Sequence, residues 1–156
     1  KLRIVPVSIS YELDPCDSAK ARELYLQRTE GSYQKEEHED VRSIAMGIAG
    51  DKGNVHLAFG DVFTSTIENA DALVNMLDKT ILSNYVLHVT NCIAYEILYG
   101  NVPDVSYGAD NTPYDPTAVS EARSSFEARM AAIPKEHRDI ALGIYANPVV
   151  SKLTGC

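Results

Sequence analysis

Ile4-Val5-Pro6-Val7-Ser8-Ile9-Ser10-Tyr11 near the start of the chain and Asn54-Val55-His56-Leu57-Ala58-Phe59-Gly60 further on are the two stretches whose reading decides the fold. The first, with Leu2 before it, is a run of β-formers broken by Arg3, Pro6 and Ser8. It reads as a buried strand, although a proline inside a strand normally marks an edge or a bulge. The second alternates outward and inward, as a half-buried strand does. About forty residues with helical patterning separate the two, and a connection of that kind favours a parallel, right-handed crossover over a hairpin. No third clean strand follows. The sequence therefore reads as α/β: two strands in a parallel crossover, with the remaining strands of the sheet missing or supplied by another copy. The opening in mid-strand points to a cut chain.

Between the strands, Asp14-Pro15 is a turn, and Asp17 or Ser18 is placed to cap a largely exposed helix through about Arg28 that Gly31 stops. The acidic run Glu36 to Asp40 precedes a second helix with Val41, Ile44, Ala45 and Ile48 on one face. Gly50-Asp51-Lys52-Gly53 turns the chain into the second strand. Beyond it, a continuous apolar stripe from about Ile67 to Leu98 predicts one long helix that stops at Gly100. Asn101 to Asp115 reads as a loop, and Asp115-Pro116 as the start of a helix with Val119, Ala122, Phe126, Met130 and Ile133 on its buried face. Pro134 breaks it, and a last helix is limited by Asn147-Pro148. The organisation is thus an α/β part over 1–63, a long helical segment over 64–100, a loop over 101–115 and a C-terminal helical pair over 116–156.

Composition narrows the function. Of 156 residues, 45% are hydrophobic and 23% charged, ordinary for one globular domain with a real core. The net charge of −8 argues against nucleic acid as a partner, since phosphate contacts require clustered Lys and Arg. The three cysteines, Cys16, Cys92 and Cys156, form no C-x-x-C and no zinc spacing, which favours a reducing, cytoplasmic setting. No signal peptide or membrane-length apolar run is present, leaving contact with a membrane surface as the expected mode of any lipid association.

Several residues are candidates for chemistry. His56 and Asp61 have H-x4-D spacing, but in an extended strand that spacing separates them by about 16 Å, so a strand histidine followed by a turn aspartate is the preferred reading. Glu36, Glu37, His38, Glu39 and Asp40 are too close in sequence to converge on a metal from a helix, and read as a solvated helix start. His88 and Cys92 are spaced i, i+4 without a third group to orient them, and His88 reads as a half-buried structural histidine. Tyr107, Pro113 and Tyr114 are a candidate binding lip in the loop. No phosphate loop or nucleophile elbow occurs.

The phrase Ile4-Val5-Pro6-Val7-Ser8-Ile9-Ser10-Tyr11-Glu12 resembles the fourth conserved block of the glycerol-3-phosphate and lysophosphatidate acyltransferases. The likeness runs through Glu23-Leu24, Gly31, Lys35 and Ser43-Ile44 to Gly53-Asn54-Val55-His56-Leu57-Ala58-Phe59-Gly60, similar to that family's later G-x-V-x-V-x-F-G strand, and so covers the first sixty residues or so, with a looser likeness around Asn91 and Cys92. It implies a place for Val5, Pro6 and Val7 in a strand under the active site, with Pro6, Ser8, Tyr11 and Glu12 as candidate substrate-binding residues. The family's own H-x4-D and E-G-x-R-S blocks precede V-P-V, and neither occurs here, so no catalytic residue is assigned to this segment. His56 aligns instead with a structural strand.

The implied function is that of the C-terminal portion of an acyltransferase, inactive alone. The enzyme would move a fatty acyl group from acyl-CoA or acyl carrier protein to a glycerophosphate hydroxyl, with no metal or redox cofactor, on the cytoplasmic face of a membrane. The alternative is a non-catalytic α/β interaction or regulatory domain that completes its sheet as a homodimer. A third reading is a small hydrolase using His56 and Asp61, or His88 and Cys92.

Overall fold

The computed structural model describes residues 3–64 and 68–155. Leu2, Ile67 and Cys156, all used in the sequence reading, lie outside the described residues. The element order is β1 (Val7–Tyr11), α1 (Asp17–Glu30), α2 (Glu39–Ala49), β2 (Val55–Phe59), α3 (Ala70–Asn84), α4 (Val89–Tyr99), β3 (Ser106–Tyr107), β4 (Thr112–Pro113), α5 (Ser120–Ala131) and α6 (Lys135–Thr154). The protein is thus mixed α/β, with two small antiparallel two-stranded sheets, β1–β2 and β3–β4.

The core belongs to the helices. α4 packs on α6, which also packs on α1, and α5 closes the group. Ala21, Ile93, Phe126, Met130, Leu142 and Tyr145 are buried in it, with the Phe126 and Tyr145 rings edge to face at 5.0 Å between centroids. Polar groups inside this body are paired. Asp17 Oδ2 accepts from Arg129 Nε at 2.7 Å and from the Tyr145 hydroxyl at 2.8 Å, and Tyr145 in turn accepts from the Asp14 N–H at 2.9 Å. This network fastens the turn after β1 to α5 and α6. Burial and the Asp17 carboxylate both push the Tyr145 hydroxyl pKa up, so it stays protonated as the donor.

The strand pair departs from the expected crossover: β1 and β2 are antiparallel, with Val7 opposite Phe59, Ile9 opposite Leu57 and Tyr11 opposite Val55. The reason is where the connection leaves and returns. Glu12 N–H donates to Asn54 O and Leu13 N–H to Lys52 O, both at 2.9 Å, so the helical excursion starts and ends at one end of the ribbon. At the other end Gly60 N–H donates to Pro6 O and Phe63 N–H to Ile4 O, extending the pairing past Pro6. Pro6 thus uses its carbonyl and has no N–H to lose. Gly60 is required by close approach: a Cβ there would sit 2.8 Å from Pro6 Cγ and 2.9 Å from Thr80 Cγ2.

Two further expectations are corrected. The stripe read as one helix is two, because the chain is extended at Tyr85 and again at His88, with Asn91 Oδ1 accepting the His88 N–H at 2.7 Å to start α4. Pro148 does not limit the last helix but lies inside α6. The stops at Gly31 and Gly100 are left-handed, at φ 76° and 74°, as glycine permits.

Candidate functional site

Alternation along the ribbon gives it two unlike faces. Val7, Ile9, Tyr11, Val55, Leu57 and Phe59 share the outer face and are all exposed, Phe59 at 68%. Ser8 and Ser10 point the other way with His56 and Ala58 opposite them, and both serines are buried. The apolar face looks out and the polar face looks in. α2 behaves likewise: its face of Val41, Ile44 and Ile48 is exposed, Ile48 at 76%.

Under the inward face lies a cleft in two lobes. The smaller, of about 310 Å³, is lined by Glu12, Asn54, His56, His88 and Tyr107. The larger, of about 510 Å³, shares His56, Val86, Gly108 and Ala109 with it and reaches Lys152 on α6. β2 supplies one wall, the extended link before α4 another, and the β3–β4 turn the third. That turn is fixed to the link by the Gly108 N–H, which donates to Leu87 O at 2.8 Å.

Electrostatically the lobes differ. Glu12 Oε2 accepts from Asn54 N–H at 2.9 Å and Asn54 Nδ2 at 2.7 Å, which holds the carboxylate at the rim of the smaller lobe. His88 is 7% exposed, and its Nε2 has no hydrogen-bond partner, in common with Ser8 Oγ and Ser10 Oγ. Burial pushes the His88 pKa below its ordinary value, an effect opposed by the Ser10 backbone and by Glu12 and reinforced by His56. The imidazole is accordingly neutral at pH 7. Lys152, at the far lobe, has its pKa lowered by desolvation.

The sequence candidates separate cleanly. Pro6 lies at the ribbon end against Gly60, Ser8 is buried under the ribbon, Tyr11 is on the outer face, and only Glu12 lines the cleft. Tyr11 and Glu12, neighbours in sequence, therefore serve opposite sides. His56 is in β2 and lines both lobes, whereas Asp61 is exposed in the chain beyond it. Among the described residues no ion pair joins them, and the one histidine–carboxylate pair is the exposed His38–Glu37. Cys92 is fully buried in α4 with its thiol pKa pushed up to about 12 by desolvation, which removes it as a nucleophile. Tyr107 lines the smaller lobe, Pro113 is exposed in β4, and Tyr114 is buried with its hydroxyl donating to Glu96 Oε2 at 2.8 Å.

Among the described residues no group of three or more His, Cys, Asp or Glu is placed to hold a metal ion, and the acidic run at 36–40 is exposed apart from a half-buried Glu39. No described helix is long and apolar enough to cross a membrane. His88 and Lys152 were not singled out together in the sequence reading, since 64 positions separate them and only the break before α4 turns His88 toward the ribbon. No protein-family model, curated protein or solved structure matches the chain.

Proposed function

We propose that this chain is a segment of a glycerolipid acyltransferase, acting on acyl-CoA or acyl carrier protein and a glycerophosphate hydroxyl, and that the β1–β2 ribbon belongs to that enzyme's sheet. One observation carries the reading: the two phrases that resemble the family, V-P-V-S-I-S-Y-E and G-N-V-H-L-A-F-G, are paired strands whose joint apolar face is uncovered. A six-residue apolar face of this kind is the inner side of a larger packed layer. On this reading the rest of the acyltransferase core lies against it. Pro6 then keeps its role as an element of the strand end, and Tyr11 is the residue of the Tyr-Glu pair that faces the missing part. Peripheral contact with the cytoplasmic face of a membrane accompanies the same proposal, with the exposed apolar side of α2 as its nearest element.

On this reading the histidine base lies outside this segment, and the segment alone is expected to be inactive. The test is thioester release from long-chain acyl-CoA with glycerol 3-phosphate or lysophosphatidate, for this chain and for the chain extended upstream in its native reading frame. Activity only in the extended protein supports the proposal; silence from both removes it.

The same uncovered face favours the second reading, an interaction domain that pairs its ribbon with that of another copy. That reading predicts a dimer of the unextended chain by sedimentation, and loss of the dimer on substituting Leu57 with Asp.

A further inference from the structure

The ribbon shares its exposure with a second apolar surface. α2 has no buried residue: Val41 is 65% and Ile44 63% exposed, with Ile48, Ala45 and Ala49 exposed on the same side. The helix rests on the molecule by its other side, where Ser43 and Gly47 are half-buried and Ser43 O accepts from the Cys16 thiol at 3.6 Å. We infer that this stripe of α2 is a self-association surface, on which α2 of a second copy packs antiparallel across a two-fold axis. The inference stands apart from the acyltransferase reading, which assigns the ribbon to the enzyme's sheet.

The order of residues leads there first. Val41, Ile44, Ala45 and Ile48 keep their spacing when the helix is read backwards. A two-fold axis between positions 44 and 45 therefore sets Val41 against Ile48 of the second copy, and Ile44 against its Ala45, a large side chain meeting a small one each time.

Charge at the two ends selects the antiparallel direction. Glu37 lies four residues before Val41, and Lys52 four residues after Ile48. The same reversal brings Glu37 of each copy to Lys52 of the other. Glu37 is 89% exposed, with His38 at 3.4 Å as its ion-pair partner, and Lys52 Nζ is held over the end of α2 by donating to Ile48 O at 3.1 Å and Gly50 O at 3.0 Å. Parallel packing would instead set Glu36, Glu37, Glu39 and Asp40 against the same acids. These acids also repel anionic lipid headgroups, which makes a membrane surface a poorer occupant of the stripe than a second copy. Size sets the strength of the pairing. An eleven-residue helix is about 16 Å long, so two stripes bury less than the roughly 1,600 Å² of a standard interface, and a Kd of about 100 µM is expected.

Sedimentation equilibrium of the 156-residue chain from about 5 to 500 µM brackets that value, and a passage from monomer to dimer is the expected result. Ile44→Lys, at an exposed site and with a good helix former, is expected to keep the helix content and leave the chain monomeric throughout. Glu37→Lys and Lys52→Glu are each expected to weaken the dimer about tenfold, and the double swap Glu37→Lys with Lys52→Glu to restore it. A local role of Lys52 at the end of α2 would give no such restoration. A chain that stays monomeric over the whole range overturns the inference, as does a dimer that survives Ile44→Lys, or a double swap no tighter than the single variants. A dimer lost in Leu57→Asp but kept in Ile44→Lys belongs to the ribbon, and a monomer that binds phosphatidylcholine vesicles in place of pairing gives the stripe to lipid; either result also overturns it. None of these outcomes depends on acyl transfer.

Discussion

The helical body and the β1–β2 ribbon solve the same problem in opposite ways. In the body, apolar side chains such as Ile93, Phe126 and Leu142 are inside, and the polar groups taken in with them are paired, Asp17 with Arg129 and Tyr145, and Asn91 Nδ2 with Tyr145 O. In the ribbon, the apolar side chains are outside and the polar ones inside, with Ser8 Oγ and Ser10 Oγ unpaired. A body with satisfied polar groups is complete in its own packing. The ribbon is attached to it by few groups, among them the Thr90 hydroxyl, which donates to Glu12 O at 2.6 Å. The contrast separates what holds this chain together from what it offers to other molecules.

The strongest way to break that contrast is in the body. Phe126→Ala opens a cavity beside Tyr145 and is expected to cost about 3–5 kcal/mol in urea unfolding. A cost below about 1 kcal/mol would mean that the body does not carry the stability.

A smaller effect is expected from acid, and it tests the inward face. His88 has a lowered pKa in the folded chain, so in the window below its unfolded value of about 6.5 the unfolded chain binds the proton more readily. Stability is fully present above that value and is lost as pH falls toward the folded value. Unfolding midpoints measured from pH 7.5 to 5.0 should fall less steeply in His88→Leu than in the unsubstituted chain; parallel curves would place His88 in water.

The smallest effect sharpens the contrast from the outer face. Phe59→Ser removes the most exposed of the ribbon's aromatic groups and is expected to change the stability of this chain by no more than about 0.5 kcal/mol. If the proposed acyltransferase reading holds, the same substitution in the upstream-extended protein should lower activity, because on that reading the face is covered there. Equal insensitivity of both proteins would mean that nothing packs on Phe59.

Much of this division was readable from residues alone, though not its direction. Two strands, the helices at 17–30 and 39–49, and the glycine stops all follow from local chemistry. The alternation in Val55-His56-Leu57-Ala58-Phe59 marks two faces but carries no label for which one is covered, and hydrophobicity alone points the wrong way here. Strand direction was hidden because a connection of this length fits either pairing; the hydrogen bonds of Glu12 and Leu13 to Asn54 and Lys52 decide it. The break at Tyr85–His88 left no mark in the pattern either, because the link carries Val86 and Leu87 and no proline or glycine. Glu12, His56, His88 and Tyr107 were each legible as candidates, but their meeting in one cleft was not, because it depends on that break, which turns His88 toward the ribbon.

The two described cysteines lie at different depths. Cys92 lies at the centre of the helical body with no exposed surface and a thiol held protonated, whereas Cys16 sits half-buried at the start of α1, its Sγ 3.6 Å from Ser43 O on α2. A thiol-directed reagent therefore meets two clocks in one molecule. Modification of Cys16 is timed by separation of α1 from α2, and that of Cys92 by opening of the helical core, so the order of the two modifications reads out which region lets go first.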